Sequence, residues 1–404
     1  MYTKSEVLQF VEEEDVKFIR LAFCDVFGTQ KNISIMTGEL ERAFSKGIAI
    51  DASAIRGFGD ESKSDLFLHP DPSTLAILPW RPEHGRVVRM FCYITRPDGT
   101  PFECDGRTLL KNAVDHAKKQ GYTFEFGPEM EFYLFKTNDF GAVTKDTYDN
   151  AGYMDVAPDD KGENIRREIC LTLEQMGIYP ESSHHEEGPG QNEIDFKYSS
   201  ALSAADNAVT FRSVVKTIAS RNGVYADFAA KPLDRFPGNG FHINISVQAK
   251  DEKNAFNATI AGLLAHIKEM TLFLNPTENS YKRLGEHKAP VYIAWSRENR
   301  SPLIRIPASP DNKLRVELRS PDTIANPYIA FTLLIYAALD GIKSGIELSK
   351  EANINFFTAS KEVLDRFDRL PTTLAEAKRI TRSSEFIQSV LPKALVDYYI
   401  ENAK

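Results

Sequence analysis

Two glutamates in a segment rich in aromatic residues constrain this chain more than any other feature. Glu129 and Glu131 lie two positions apart in residues 124–135, Phe-Glu-Phe-Gly-Pro-Glu-Met-Glu-Phe-Tyr-Leu-Phe. In a strand, side chains two residues apart point to the same face, and the aromatic neighbours favour burial. Two buried carboxylates this close need a divalent cation or a shared proton. The segment predicts a metal site or an acid/base pair; the alternative is a strand with two solvated glutamates.

Three further segments carry similar side chains. Glu186 and Glu193 flank a Gly-Pro-Gly turn, which folds the backbone back and brings the two carboxylates together. His242 begins an alternating strand after a glycine-rich approach, and a histidine of the core is the alternative there. Glu317 and Arg319 share one face of a strand, where an ordinary ion pair is the alternative.

Together these segments supply five glutamates and one histidine, a ligand set that lacks thiolates. Such a set suits Mg²⁺ or Mn²⁺ better than zinc, and its number of carboxylates indicates two cations. Arg300, Arg305 and Arg319 add planar groups that bind phosphate or carboxylate through two hydrogen bonds. Two metals with nearby arginines describe a phosphoryl-transfer centre, where positioning and charge neutralisation supply most of the catalysis.

The order of these motifs and the residues within them resemble glutamine synthetase of type I, in particular the shorter form of that type. The resemblance runs collinearly from about residue 15 to the last residue. The segments that carry it are 50–58, 64–71, 127–132, 184–196, 275–284, 289–291, 299–307, 316–322 and 326–331. So many motifs in one order make a chance match untenable.

This resemblance implies a ligase that uses ATP with Mg²⁺ or Mn²⁺. ATP converts the side-chain carboxylate of glutamate to γ-glutamyl phosphate, and ammonia or an organic amine then attacks to form a γ-glutamyl amide. Phosphorylation is needed because the carboxylate alone is a poor electrophile. The implied ligands of one ion are Glu131, Glu186 and Glu193, and those of the other are Glu129, His242 and Glu317.

The resemblance also implies roles for other residues. Arg300 and Arg319 neutralise the transferring phosphate, and Asp51 helps to bind ammonium and to remove its proton. The remaining implied roles are substrate binding by Arg283, Gly238 and Arg305 and nucleotide binding by Lys313. The resemblance further implies that Asp51 of one subunit completes the site of its neighbour and that the protein forms a homo-oligomeric ring of six, often stacked into twelve. The C-terminal strap of the family has no counterpart here, so weaker stacking is expected.

The chain departs from the family pattern at the ammonia and glutamate end of the site. Lys288 stands where the family has a glutamate that takes a proton from ammonium, in a loop one residue shorter. A lysine about 5 Å from bound ammonium, at an effective dielectric constant near 20, would cost about 3 kcal/mol. The alternatives are that Glu286 or His287 accepts the proton instead, or that Lys288 points to solvent.

Two smaller departures lie at the same end. Pro237 replaces an asparagine that orients glutamate, and proline offers neither a side-chain amide nor an N–H. Residues 51–54 carry two alanines where glycine and serine are usual, but the acid is kept. We therefore expect either ammonia or an organic amine as the nucleophile, and glutamate or a related acid as the carboxylate substrate. A non-catalytic assembly and a glycosidase that uses Glu129 and Glu131 are the alternatives.

Composition limits the remaining classes. The 404 residues are 42% apolar, which suffices for two domains with sizeable cores. A formal net charge of −8 without a basic run argues against nucleic acid, and the absence of an apolar run or signal segment argues against a membrane. A cytoplasmic location is expected. The cysteines are predicted to be free thiols, namely Cys24, Cys92, Cys104 and Cys170.

An α+β fold is predicted. The resemblance implies a small N-terminal β-grasp-like domain over residues 1–100 and a larger catalytic domain over residues 101–404, with an antiparallel β funnel flanked by helices. Thr3 and Glu6 form a capping box at a helix start, and Asp105 can cap a helix that runs to Gly121. Strands are predicted over residues 16–26 and 86–95 and helices near 162–176, 202–221, 252–274 and 326–348.

Overall fold

The computed structural model describes residues 2–81, 84–309 and 314–404. Within them the chain forms a six-stranded sheet near the N-terminus and a ten-stranded sheet in the remainder. Helices pack against both sheets, and one main apolar core extends through both parts. The predicted α+β class is confirmed.

The N-terminal part combines a mixed sheet with two helices. Its elements are α1 (Lys4–Glu13), β1 (Val16–Cys24), β2 (Gln30–Met36), α2 (Leu40–Lys46), β3 (Ile48–Asp51), β4 (Asp65–Pro70), β5 (Ala76–Ile77) and β6 (Arg86–Thr95). The strand order is β2-β1-β6-β4-β3, with β5 also paired to β6, and only β1 and β6 are parallel among these pairs. The Thr3 side chain accepts a hydrogen bond from the backbone N–H of Glu6 at the start of α1, so the predicted capping box is present.

The second sheet is organised around one long central strand. Its strands are β7 (Thr123–Thr137), β8 (Val143–Thr147), β9 (Pro180–His185), β10 (Gln191–Phe196), β11 (Ser199–Ser200), β12 (Val224–Asp227), β13 (Phe241–Gln248), β14 (Trp295–Arg297), β15 (Ile304–Ile306) and β16 (Val316–Leu318). The order is β14-β15-β16-β13-β7-β10-β9, and β8, β11 and β12 also pair with β7. The pairs are antiparallel as expected, except that β14 and β15 run parallel.

The helices of the second part agree closely with the predicted ones. They are α3 (Gly106–Lys119), α4 (Glu163–Gln175), α5 (Ala201–Arg221), α6 (Glu252–Leu274), α7 (Glu278–Arg283), α8 (Pro327–Ser344), α9 (Lys361–Leu364), α10 (Leu374–Arg382), α11 (Glu385–Val390) and α12 (Lys393–Asn402). α8 ends at Ser344 and not near 348, because Gly345 adopts a left-handed φ of +60° that closes the helix. In the described ranges, no helix combines the length and the apolar character needed to span a lipid bilayer.

Buried polar contacts join the two parts. The Tyr399 hydroxyl on α12 donates to the backbone oxygen of Val26, which follows β1, at 2.7 Å. Arg107 on α3 forms salt bridges of 2.9 Å with Asp71 of the N-terminal part and with Asp206 on α5. Because these groups are buried or nearly so, the junction between the sheets is held by paired charges as well as by the shared core.

Candidate active site

The register of β7 against β10 places carboxylates directly opposite one another. Glu131 lies opposite Glu193, and Glu129 lies opposite Asp195. Like charges at directly opposite positions of an antiparallel pair are destabilising. The sheet therefore carries an acidic patch whose presence packing alone does not explain.

Strands β13 and β16 extend this patch on the other side of β7. His242 lies opposite Glu129, and its Nδ1 atom is 3.4 Å from Glu129 Oε2. Glu129, His242 and Glu317 each offer a ligand atom, and these atoms lie within 4.8 Å of one another. Glu131, Glu193 and His242 meet the same condition. Two potential metal positions therefore share the wall formed by β7, β10, β13 and β16.

The hairpin between β9 and β10 brings in the sixth predicted ligand. The backbone N–H of Glu186 donates to the backbone oxygen of Gln191 at 2.8 Å, which closes the turn. Ligand atoms of His184, Glu186 and Glu193 lie within 4.8 Å of one another. The structure thus brings Glu186 and Glu193 together, as the Gly-Pro-Gly turn predicted.

These side chains surround a cavity of about 550 Å³. Of the residues predicted to act in the site, those that line it are Glu129, Glu131, Glu186, Glu193, Gly238, His242, Arg283, Arg300, Arg305 and Arg319. Glu317 lies directly behind this lining. Its carboxylate accepts hydrogen bonds from Arg305 Nη1 at 2.6 Å and from Arg319 Nε at 3.0 Å. One wall of the cavity is therefore acidic, and the other presents fixed arginines.

The acidic wall is short of positive charge. Burial, reinforced by the charge of Glu317, raises the pKa of Glu129 to about 7. Burial and the neighbouring Asp195 raise the pKa of Glu193 well above its usual range, and burial raises the pKa of Glu131. Such shifts arise where carboxylates are removed from water without enough cations beside them.

The donor set fits divalent cations. Carboxylate oxygens with one imidazole nitrogen are ligands that Mg²⁺ and Mn²⁺ accept. Burial and the charge of Arg319 lower the pKa of His242 to about 4, so its ring is neutral and has a nitrogen lone pair to offer. Cations at the two positions would relieve the repulsion among Glu129, Glu131 and Glu193.

The arginines are held in place by backbone oxygens. Arg283 is 3% exposed and donates from Nη1 to the backbone oxygen of Ser320 at 2.8 Å. Arg319 donates from Nη1 to the backbone oxygen of Arg300. Gly238 must approach closely here, because a Cβ at this position would collide with the backbone oxygen of Ala230. Arg283 and Arg319 are therefore held in position before any substrate enters.

Two predicted site residues lie elsewhere. Asp51 is exposed at the end of β3, outside the cavity of its own chain. Its carboxylate accepts a hydrogen bond of 2.9 Å from the backbone N–H of Ser53, and this bond lowers its pKa. Lys313 lies outside the described residues.

The loop with the lysine departure has a defined arrangement. Lys288 lines the cavity, and its ammonium forms a salt bridge with Glu187 on the opposite side of the rim. Glu286 forms a 3.0 Å salt bridge with the buried Lys231 and is not among the lining residues. His287 does line the cavity. Of the two substitute proton acceptors considered from the sequence, the geometry therefore favours His287.

Three polar residues of the site escaped the sequence analysis. Asp195 and Gln191 flank Glu193 at a spacing of two, so strand alternation would have placed all three on one face. Gln191 Nε2 donates to Glu131 Oε2 at 3.0 Å. Asn244 Nδ2 donates to Glu129 Oε1 at 2.6 Å. Predicting this contact would have required the register between β7 and β13.

Comparison with known proteins identifies the family to which this fold and cavity belong. The family model of the glutamine synthetase β-grasp domain matches residues 15–97, and that of the glutamine synthetase catalytic domain matches residues 103–404. A glutamine synthetase of Clostridium saccharobutylicum is 46% identical over 415 residues, covering 99% of this chain and 94% of the relative. One of Methanosarcina mazei is 45% identical and covers 98% and 92%, respectively.

Solved structures agree with these relatives. A GmaS structure in complex with ADP has a TM-score of 0.88 at 26% identity, covering 98% of this chain and 94% of that one. Fold and site thus define a ligase that forms carbon–nitrogen bonds. The chain belongs to the glutamine synthetase family. Neither the non-catalytic assembly nor the glycosidase is compatible with this assignment as a ligase.

Proposed function

We propose that the protein makes a γ-glutamyl amide from ATP, glutamate and an amine, with ammonia as the amine and glutamine as the product. The observation that carries this proposal is the cavity in which crowded, poorly neutralised carboxylates face fixed arginines. One ion would be held by Glu131, Glu186 and Glu193 and the other by Glu129, His242 and Glu317. Bound Mg²⁺ or Mn²⁺ would neutralise the phosphate oxygens of ATP.

The reaction proceeds in two displacements. A γ-carboxylate oxygen of glutamate attacks the terminal phosphorus of ATP, and ADP leaves as γ-glutamyl phosphate forms. The amine nitrogen then attacks the γ-carbon, orthophosphate leaves, and the proton lost by the attacking nitrogen passes to a basic group of the site. Arg300 and Arg319 take up negative charge on the transferring group, and Arg305, which already binds Glu317, lies beside them.

Glutamate is proposed to bind on the basic side of the cavity. The buried Arg283 would hold its α-carboxylate, and the tight approach at Gly238 leaves room for its backbone. Lys313 is proposed to contact the nucleotide. Holding nucleotide, acid and amine together supplies the rest of the rate enhancement.

The Lys288 salt bridge bears on the choice of amine. Since the carboxylate of Glu187 offsets the lysine charge, the repulsion that an ammonium ion meets is smaller than the sequence alone indicates. Ammonia is therefore compatible with this loop. His287, which lines the cavity, is the proposed proton acceptor together with Asp51 of the partner subunit.

An organic amine is the second candidate, and two apolar side chains of the cavity rim support it. Tyr153 and Met154 line the cavity and are 49% and 60% exposed. Their side chains offer apolar contact to an alkyl substituent; the Lys288 ammonium already lies over the Tyr153 ring, 5.9 Å from its centroid. The rim around Lys288 thus provides apolar contacts that a substituted amine can use and an ammonium ion cannot.

We also propose a homo-oligomeric ring in the cytoplasm. The supporting observation is that Asp51 lies exposed and outside the cavity of its own chain, so it is free to complete a neighbouring site. The four cysteines are free thiols, which agrees with a reducing compartment.

An amine panel tests the proposed function. Phosphate release is measured with ATP, glutamate and Mg²⁺ or Mn²⁺, and ammonium, methylamine, ethylamine or hydroxylamine is added in turn. We expect release to depend on both glutamate and the amine, and hydroxylamine to trap the activated carboxylate as a hydroxamate. Phosphate release that does not depend on glutamate would refute the proposal. A preference for ethylamine over ammonium would select the second candidate.

A further inference from the structure

A second cavity, of about 680 Å³, lies between the N-terminal sheet and α5. Among the described residues, none lines both this cavity and the acidic one. One wall is the polar face of α5, formed by Thr210, Ser213, Thr217 and Ser220, whose spacings of three and four place them on one side of the helix. The opposite wall comes from β1, β2 and β6.

Among the described residues, the charged side chains that line this cavity are all cations, namely Arg20, Arg81, Arg89, Lys216 and Arg221. In the described parts of the chain, none of the five forms a salt bridge with a carboxylate. Arg107, at the nearby junction, is bound by two aspartates. The basic cavity therefore lacks the internal neutralisation that this fold provides elsewhere.

The two most deeply placed cations are direct neighbours. Arg20 on β1 is the register partner of Arg89 on the parallel strand β6, so two cations lie side by side on adjacent strands. Arg89 is only 6% exposed; its Nη1 donates to Thr210 Oγ1 at 2.9 Å, and its Nε has no hydrogen-bond partner among the described atoms. A buried guanidinium with an unused donor is costly unless a ligand satisfies it.

The remaining lining groups limit the size and chemistry of a ligand. The polar lining includes hydroxyl groups of α5, of which Ser213 already donates to Gln30 Oε1 at 2.6 Å, and the side chain of Asn32, while Leu78, Trp80 and Met176 form an apolar side. Several anionic oxygens on a short carbon skeleton match both kinds of wall.

We propose that this cavity binds a small organic anion with at least two negative charges, borne by carboxylate or phosphate groups. Such an anion would connect Arg20 and Arg89 of the N-terminal sheet with Lys216 of α5. Because α5 packs against β7, the strand that carries Glu129 and Glu131, the anion would stiffen the support of the acidic cavity. This proposal does not depend on which amine the enzyme uses.

Titration calorimetry on the full chain at low salt tests the proposal. The probes are malonate, succinate and glutarate in one arm and phosphate, pyrophosphate and glycerol phosphate in the other. We expect at least one probe to bind saturably at one molecule per chain and to raise the thermal unfolding midpoint, with weaker binding at high salt. The arm with the tighter binder identifies carboxylate or phosphate as the preferred group.

Matched variants locate the binding. Lys216→Gln and Arg81→Gln, both at exposed positions, should weaken binding by at least about tenfold. Arg300→Gln, which alters the acidic cavity, and Lys118→Gln, on the exposed face of α3, should leave it unchanged. The proposal is overturned if no probe binds saturably, or if Arg300→Gln abolishes binding while Lys216→Gln does not. Neither result depends on turnover, so failure of the proposed function would be seen separately in the amine panel.

Discussion

Two buried clusters of acids and histidine lie on either side of the β9–β10 hairpin, and they differ in charge balance. Asp149, Asp160 and His185 offer ligand atoms within 4.8 Å of one another, as do Glu131, Glu193 and His242. By geometry alone, each is a candidate metal site. The difference between them shows that a shortage of positive charge indicates a metal site better than the proximity of potential ligand atoms does.

The Asp149 cluster is neutralised from within. Arg166 binds Asp160 through Nη2 at 2.5 Å, and His185 Nε2 lies 2.9 Å from Asp149. Backbone N–H groups of Gly190 and Lys161 also donate to Asp149. Although burial raises the pKa of Asp149, these partners outweigh it and lower the pKa overall. Partners within the protein therefore already neutralise these acids, and the cluster holds the hairpin in shape.

The first prediction concerns the loss of a charge from the Asp149 cluster. Asp160→Asn leaves Arg166 buried without its counterion, which should lower the free energy of unfolding by about 3–5 kcal/mol. Urea denaturation measures the change. Asp159→Asn, at the exposed neighbouring position, is the matched control and should be nearly neutral. Equal stability of the two variants would show that the Arg166 pair is not structural.

The second prediction concerns the unbalanced cluster, where the opposite pattern is expected. Glu193→Gln should reduce amine-dependent phosphate release by about 10²–10³-fold, since it removes a proposed metal ligand. Metal-free stability should stay equal or rise, because the variant relieves repulsion with Glu131. Thermal unfolding in a chelator measures this part. A large loss of metal-free stability in Glu193→Gln would contradict the view that these carboxylates repel one another when no cation is bound.

The third prediction tests the rim. Lys288→Gln removes the salt bridge with Glu187 and frees that carboxylate to attract a cationic amine. The KM for ammonium should fall by up to about tenfold with little change in kcat, as expected for one partly screened charge. Initial rates at several ammonium concentrations measure the effect. Lys282→Gln, at an exposed position on α7, is the control. An unchanged KM would exclude the lysine from amine selection.

The smallest expected effect comes from a third cluster that is balanced only when its histidine is protonated. His266 on α6 lies 2.7 Å from Glu269 and 2.9 Å from Asp340 on α8. Burial opposes protonation, but the two hydrogen bonds outweigh it and raise the pKa of His266 above its usual 6.5. The resulting stability is therefore complete below that pH and is lost as pH rises through the folded-state pKa.

Denaturation at several pH values measures this last contribution. We expect the His266 cluster to lose no more than about 1 kcal/mol as pH rises, since its partners are partly exposed. His266→Gln should flatten this part of the pH profile. A profile that is the same in the variant and the natural chain would assign the pH dependence to other groups.

The parts of the fold that depend on local sequence were predictable. Strand alternation placed Glu129 and Glu131 on one face, and the turn chemistry brought Glu186 toward Glu193, because both effects act within about ten residues. Helix caps such as Asp105 likewise marked element starts. The site roles implied by the resemblance remain proposals.

What the sequence did not reveal depends on pairing between distant segments. The register that sets Glu131 against Glu193 joins strands about sixty residues apart, and one step of slip would turn every side chain to the other face. The pairing of Lys288 with Glu187 and the basic cavity beneath α5 arise in the same way. Neither leaves a local pattern in the chain.

The most direct test of the central claim is the number of divalent ions that the acidic cavity binds. Calorimetric titration of the metal-free protein with Mn²⁺ should give two ions per chain, and Glu131→Gln should lose one of them. The Asp159→Asn protein should bind like the natural chain. If the natural chain binds no Mn²⁺, or if Glu131→Gln binds both ions unchanged, the carboxylates of β7 and β10 are not the metal centre of this enzyme.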